Sequence, residues 1–134
     1  MITFAIGLGC DRGTSLETVS KAVEVALALV NAVPDQVVAA ASITLKMDEA
    51  ALLALAQRYD WPLQFYPPEQ LAGVQVPNPS ETVRRHTGTP SVSEAAALLA
   101  AGPGTPMSAL VVEKYKYRGE DGRNATVSIA RKTQ

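Results

Sequence analysis

The feature that most constrains this chain is a change of period across residues 7–15, "GLGCDRGTS". Before it stands "ITFAI" (residues 2–6), short, apolar and ended by glycine, the signature of a buried strand. After it, Leu16, Val19, Val23, Ala26, Leu27 and Val30 recur at helical spacing, with Glu17, Lys21 and Glu24 on the opposite face. A strand that passes into an amphipathic helix through a glycine-bearing loop commits the N-terminal part of the chain to a βα unit. Thr14 and Glu17 have the spacing of a capping box at the helix start, and Pro34 ends the helix.

The same alternation continues downstream. "VVAAASITL" (residues 37–45) is apolar on both faces and too short for a typical helix, which predicts a second buried strand. Asp48 is placed to cap a helix whose stripe is Leu52, Leu55, Ala56 and Tyr59, and "LQFY" is a candidate short strand. "YPPEQLAGVQVPNPS" predicts a rigid, irregular segment, and not a linker, because apolar residues recur through it. Residues 80–88 predict a short helix ending at Gly88. Ser91 and Glu94 repeat the capping-box spacing ahead of "AAALLAA", a helix apolar all round and therefore buried or at an interface. "SALVVEKYKYR", the turn "GEDG" and "NATVSIAR" predict a terminal hairpin. The predicted fold is one domain over residues 1–134, a three-layer α/β/α sandwich with a mixed sheet and a C-terminal β-hairpin.

Composition narrows the function classes. Twelve Lys and Arg against thirteen Asp and Glu leave a net charge of −1, so no global basic field exists for nucleic acid or an anionic membrane. Any anion site must be local. The single cysteine forms no internal disulfide, which predicts a reducing compartment. The first residues lack the positive region of a signal peptide, and no run approaches the ~20 apolar residues of a membrane span. A cytoplasmic protein is expected, with no nucleic-acid or membrane partner. One His and one Cys without spaced co-ligands predict no metal site, and no cofactor motif is complete.

Three constellations could carry chemistry. In the first loop, Gly7 and Gly9 fit a dinucleotide fingerprint, but the next glycine is Gly13, one position late, and Arg12-Gly13-Thr14 lacks the lysine of a phosphate loop. A simpler carboxylate site is compatible with Gly9, Arg12, Gly13 and the hydroxyls of Thr14 and Ser15; equally, the hydroxyls cap the helix while Arg12 pairs with Asp11. Cys10 as a nucleophile needs a base, and His86 is the one histidine; the alternative is a small buried cysteine. The second constellation is Lys46 at a strand end, with Asp48 and Glu49 opening the next helix. It shares a rim with the first loop if the two strands are parallel, and is otherwise a solvated lysine beside helix-capping acids. The third is "EKYKYR", where Lys114, Lys116 and Arg118 share one strand face and Tyr115 and Tyr117 the other. That pattern suits an acidic planar ligand or single-stranded RNA, but lysines also protect edge strands, the simpler account for Lys116 and Arg118.

"GLGCDRGTS", "SITLKMDEAALLALA", "SVSEAAALLAA" and "LVVEKYKY…NATVSIAR", in this order, resemble the CobE/CbiG C-terminal domain family of cobalamin biosynthesis over nearly the whole chain. The length is similar to that of free-standing CobE members. The resemblance implies a role in corrin-ring synthesis of the aerobic type, binding or delivering a precorrin or corrinoid such as hydrogenobyrinic acid. Its alternative implication is an enzyme, for example a lactone hydrolase like CbiG, with Cys10, Glu49 and Glu94 as candidate nucleophile or base. CbiG carries further portions ahead of this domain, so that activity does not transfer simply. The family's recurring residues fall here on Gly9, Cys10, Arg12, Gly13, Thr14, Lys46, Asp48, Glu49, Ser91, Glu94 and Lys114, among others. With Ser15, these residues other than Glu49 form the expected ligand site. Corrinoids are broad apolar rings edged by carboxylates, and Arg12, Lys46 and Lys114, from three elements, are expected to form a cationic rim around one cleft. Other enzymes of the pathway are candidate partners through the "AAALLAA" helix.

Overall fold

The first strand, β1 (Thr3–Cys10), continues straight through both glycines, so the loop begins only at Asp11. Gly7 belongs to the strand because a helix crosses it: a Cβ there would stand 2.6 Å from the Ala97 nitrogen and closer still to the Ser93 carbonyl. The glycine that sequence reasoning assigned to the loop is a packing residue. Residues 2–132 are described in this computed structural model.

A five-stranded sheet in the order β3-β2-β1-β5-β4 forms the middle layer. Strand β1 pairs in parallel with β2 (Val37–Ile43), which pairs in parallel with β3 (Leu63–Tyr66). On its other side β1 pairs antiparallel with β5 (Asn124–Lys132), the partner of β4 (Leu110–Arg118) in the expected hairpin. The sheet is therefore mixed. Two reversals make β4 run the same way as β1, so the C-terminal ends of β1, β2, β3 and β4 share one rim with the start of β5.

Alternation along β1 divides the core. Phe4, Ile6 and Leu8 face α1 (Leu16–Leu29) and α2 (Ala50–Tyr59), packing with Val19, Val23, Leu52, Leu55, Val127 and Ile129. Each such buried aliphatic or aromatic side chain contributes about 1.5–3 kcal/mol. The opposite face is lined by small residues, Ala5, Ala41 and Ala130, against which α5 (Val92–Ala101) lies close through Ala95, Ala96, Ala97 and Leu98. The apolar helix is thus core, with Leu98 only 2% exposed. Between β3 and α5, a strap containing α3 (Pro68–Ala72) and α4 (Glu81–Thr87) crosses the same face. The sequence did not reveal α3. It starts with Pro68 at its first position, where no N–H is needed, and is anchored by the buried Leu71. Ser80 caps α4, and Gly88 ends it in the left-handed conformation. No helix among the described residues is long and apolar enough to cross a membrane.

The three expected helix caps need correction. Ser15, not Thr14, caps α1 by accepting from the Thr18 N–H at 3.2 Å, while the Thr14 hydroxyl donates to the Asp11 carbonyl at 2.6 Å. Glu49, not Asp48, occupies the cap position of α2. Ser91 does precede α5, but its hydroxyl makes no cap bond and Glu94 does not reach back. Two of the acids that matched a local pattern, Asp48 and Glu94, are held instead by partners distant in sequence, Arg12 and Asn78.

Candidate functional site

A cleft of about 300 Å³ opens on the shared rim, on the α5 side of the sheet. Its base is the end of β1 (Gly9, Cys10) and the start of β5 (Asn124, Thr126). Ile43 at the end of β2, with Leu45 and Lys46 just after it, forms one side, and Lys114 and Lys116 of β4 the other. The first turn of α5 (Val92, Ser93) and the inner face of α4 (Val83, His86, Thr87) close it. Apolar side chains and cations therefore share the walls of a pocket at the carboxyl ends of strands, where open α/β sheets place ligands. The alternation seen in "EKYKYR" sorts the hairpin as anticipated: Lys114 and Lys116 face the cleft, while Tyr115 and Tyr117 pack toward the core beneath α1.

Of the sequence-predicted ligand residues, Gly9, Cys10, Lys46 and Lys114 meet in this cleft. Arg12, Gly13, Thr14, Ser15, Asp48, Ser91 and Glu94 do not line it. Arg12 turns away and clamps two loops together. Its guanidinium bonds the Asp48 carboxylate and the Leu45 carbonyl, both at 2.9 Å, and lies 3.1 Å from Glu49. Asp48 is consequently held below its ordinary carboxylate range by Arg12. Glu49 is almost wholly buried. Its Oε2 accepts from the Gly13 N–H at 3.0 Å, and its Oε1 faces Arg12 and, at 3.6 Å, Lys46 as a charge contact without an aligned hydrogen bond.

The N-terminus of α1 is filled in the same way. Asp121, in the hairpin turn, accepts from the Ser15 N–H at 3.0 Å and from the Thr18 hydroxyl at 3.1 Å. Those bonds, led by the Ser15 and Arg123 backbone N–H groups, lower its pKa to about 2. Asp11 binds the N–H and amide of Asn124, and Arg123 donates to the Arg12 carbonyl. The loop's N–H groups at Gly13 and Ser15 are thus held by the chain's own acids and those at Asp11 and Thr14 by backbone carbonyls, leaving α5 as the rim helix whose first turn opens to the cleft without a side-chain cap.

The candidate reactive groups divide sharply. Glu94 is completely buried and accepts from the Asn78 N–H at 3.2 Å and the Asn78 amide at 2.6 Å; that amide also donates to Glu113, and Lys114 donates to the Asn78 carbonyl. This network pins the strap across α5 and β4. Ser42, buried, donates to the Leu8 carbonyl and is structural. Cys10 and His86 both line the cleft, but burial raises the Cys10 thiol above its ordinary value, which Lys46 only partly offsets. Among the described residues, no group of three or more His, Cys, Asp or Glu side chains is placed to hold a metal ion. Sequence reasoning undervalued Lys116, whose alternation with Lys114 was the available signal. It had no means of seeing Asn124, because that residue reaches the rim only through the β1–β5 pairing.

The family model described as "Cobalamin synthesis G C-terminus" matches residues 4–130. The chain belongs to this family. Among its relatives is a Cobalt-precorrin-5A hydrolase of Priestia megaterium, 38% identical over 94% of this chain but only 31% of that protein. Another is Protein CobE of a Sinorhizobium species, 39% identical over 72% of this chain and 64% of that one. The chain thus aligns with less than two-thirds of either curated relative. The crystal structure of CobE, a protein from the cobalamin (vitamin B12) biosynthetic pathway, superposes with a TM-score of 0.81 at 33% identity, covering 97% of this chain and 90% of that one. The expected family and fold class both stand: a cobalamin biosynthesis G C-terminal domain with an α/β architecture.

Proposed function

We propose that this member of the family binds a carboxylate-bearing corrinoid or precorrin, such as hydrogenobyrinic acid, and holds or delivers it during ring synthesis. The observation that carries this reading is the rim cleft, where Lys46, Lys114 and Lys116, with His86, share the walls with Ile43, Leu45, Val83 and Val92. Cations beside apolar side chains suit a hydrophobic ring with acidic arms. The open first turn of α5 adds partial positive charge on the same side. About 300 Å³ is the low end for pockets that enclose a small molecule, so the cleft takes one edge of the ring. The rest lies over the mouth, where Leu45 and Met47 remain exposed. Arg12, Gly13, Thr14 and Ser15 then act by shaping this rim, since their own partners are internal.

Titration of purified protein with hydrogenobyrinic acid tests this directly. A saturable shift of the pigment's absorbance is the expected result, with slower alkylation of Cys10 in the complex. Folded protein that leaves the spectrum unchanged at high micromolar ligand would overturn it.

A second reading, hydrolysis of a precorrin lactone, draws on the likeness to the hydrolase and on Cys10 and His86 sharing the cleft. Against it, Glu49 and Glu94 are committed to structural partners and burial disfavours the Cys10 thiolate. Incubation with a lactone-bearing cobalt-precorrin separates the two: ring opening that is lost in Cys10→Ser supports the enzyme, and recovery of intact substrate removes it.

A further inference from the structure

The cations around the cleft are not equally available. Arg12 spends its charge on Asp48 and Glu49 outside the cleft, and Lys46 sits 3.6 Å from the buried Glu49. Lys114 donates to the Asn78 carbonyl, a bond that also fixes the strap. Lys116 and His86 differ. Both line the cleft, on β4 and α4, and neither forms a hydrogen bond or ion pair among the described residues. Their neighbours on α4, Glu81 and Arg84, pair with each other at 3.3 Å and stand outside the cleft. The inner cations build the wall, and the outer pair is left to meet a ligand.

We propose that Lys116 and His86 select rings whose arms end in carboxylates over rings whose arms end in amides, an inference that rests on the corrinoid-binding reading above. An amide arm can still accept a hydrogen bond from either side chain, but it carries no charge to pair with Lys116 or to strengthen the bond from a His86 N–H. Because Lys46 and Lys114 are already engaged, the discrimination falls on the two unengaged groups. The other charged or titratable groups that line the cleft with His86 are Cys10, Asp11, Lys46, Lys114 and Lys116. Asp11, the one acid among them, is committed to Asn124. On its own helix, Arg85 adjoins it.

The test compares cobyrinic acid, with carboxylate arms, and cobinamide, with amide arms, by absorbance titration. The wild type should bind cobyrinic acid more tightly, with a preference that shrinks in high salt. Lys116→Gln should weaken cobyrinic acid by about threefold to fivefold and leave cobinamide unchanged. His86→Leu, which removes the N–H donor, should weaken cobyrinic acid by a smaller factor, and more than it weakens cobinamide. Arg84→Gln, on the same helix but outside the cleft, should change neither ligand. Equal loss for both ligands in the variants, or unchanged cobyrinic acid binding, would overturn the selection while leaving the binding function standing. If the wild type binds neither corrinoid, both readings fall together.

Discussion

The β1–α1 loop and the strap over α5 are both walls of the rim, and they are built on opposite plans. The loop is saturated: Glu49 holds Gly13, Asp121 holds Ser15, Asp11 holds Asn124, and Arg12 clamps Asp48. The strap carries α4, in which no residue is buried, and is tied down mainly at its base. There Asn78 meets Glu94 and Lys114, and the Ser80 N–H bonds the Pro90 carbonyl at 2.9 Å. A loop rich in glycine, hydroxyls and charge is therefore the fixed side, and the proline-rich stretch is the side with free groups. Residue types that would suit a ligand suit an internal partner equally well, and only the fold says which has them.

The largest effect should come from removing what both walls stand on. Gly7→Val pushes a side chain into the backbone of α5, and urea unfolding should show a loss on the order of 3 kcal/mol. An unchanged midpoint would mean that α5 can shift off the sheet freely. Next, Glu94→Ala should cost about 2 kcal/mol by leaving Asn78 donors unpartnered. Hydrogen exchange should then quicken over residues 73–90 and stay constant over residues 11–18. Exchange that rises equally in both would erase the contrast between the walls.

Asp121→Asn should produce the reverse map, loosening residues 11–18 and lowering the melting temperature. Asp121 has its pKa depressed in the folded state, from 3.8 to about 2, so its contribution is present above the unfolded value and disappears as pH falls toward the folded one. Melting curves of the wild type and the variant should differ fully at pH 5–7 and converge by about pH 2. A difference independent of pH would show that the carboxylate's charge is not what holds the turn. The smallest effect is expected of Arg12→Gln: a modest fall in stability, with cobyrinic acid affinity within about twofold of wild type. A much larger loss of affinity would place Arg12 on the ligand after all and make the loop a contact wall.

Much of the fold was legible because it follows from local periodicity. The strand expected over residues 37–45 and found at Val37–Ile43, the hairpin, the short helix capped by Ser80 and the apolar helix after Ser91 all signal themselves within a dozen residues. What could not be read depends on distant partners. Thr14 and Glu17 matched a capping box, yet Ser15 is the cap and Asp121, more than a hundred residues away, completes it. Gly7 suggested a loop because glycine has the same letter whether it bends a chain or admits a helix. For the site, Lys46 was legible as a cation past a strand end and Lys114 as a cation on a strand face, and their meeting required the parallel β1–β2 pairing and the reversal at β5. Glu94 looked like a capping acid or a base; its complete burial against Asn78 is a property of the strap's path alone.

The pairing of β1 with β5 runs from Thr3 opposite Lys132 to Cys10 opposite Ala125. The central strand is thus made well before one of its two flanks, which follows it by more than a hundred residues. Until β5 arrives, β1 presents an open row of backbone donors and acceptors, with Phe4, Ile6 and Leu8 covered by helices on one face alone. Such long-range closure slows folding and leaves the nascent chain exposed to wrong pairing. The rim cleft comes into being only once β5 has joined β1, since Asn124 and Thr126 form part of its base. Until then nothing joins its β2 side to its β4 side.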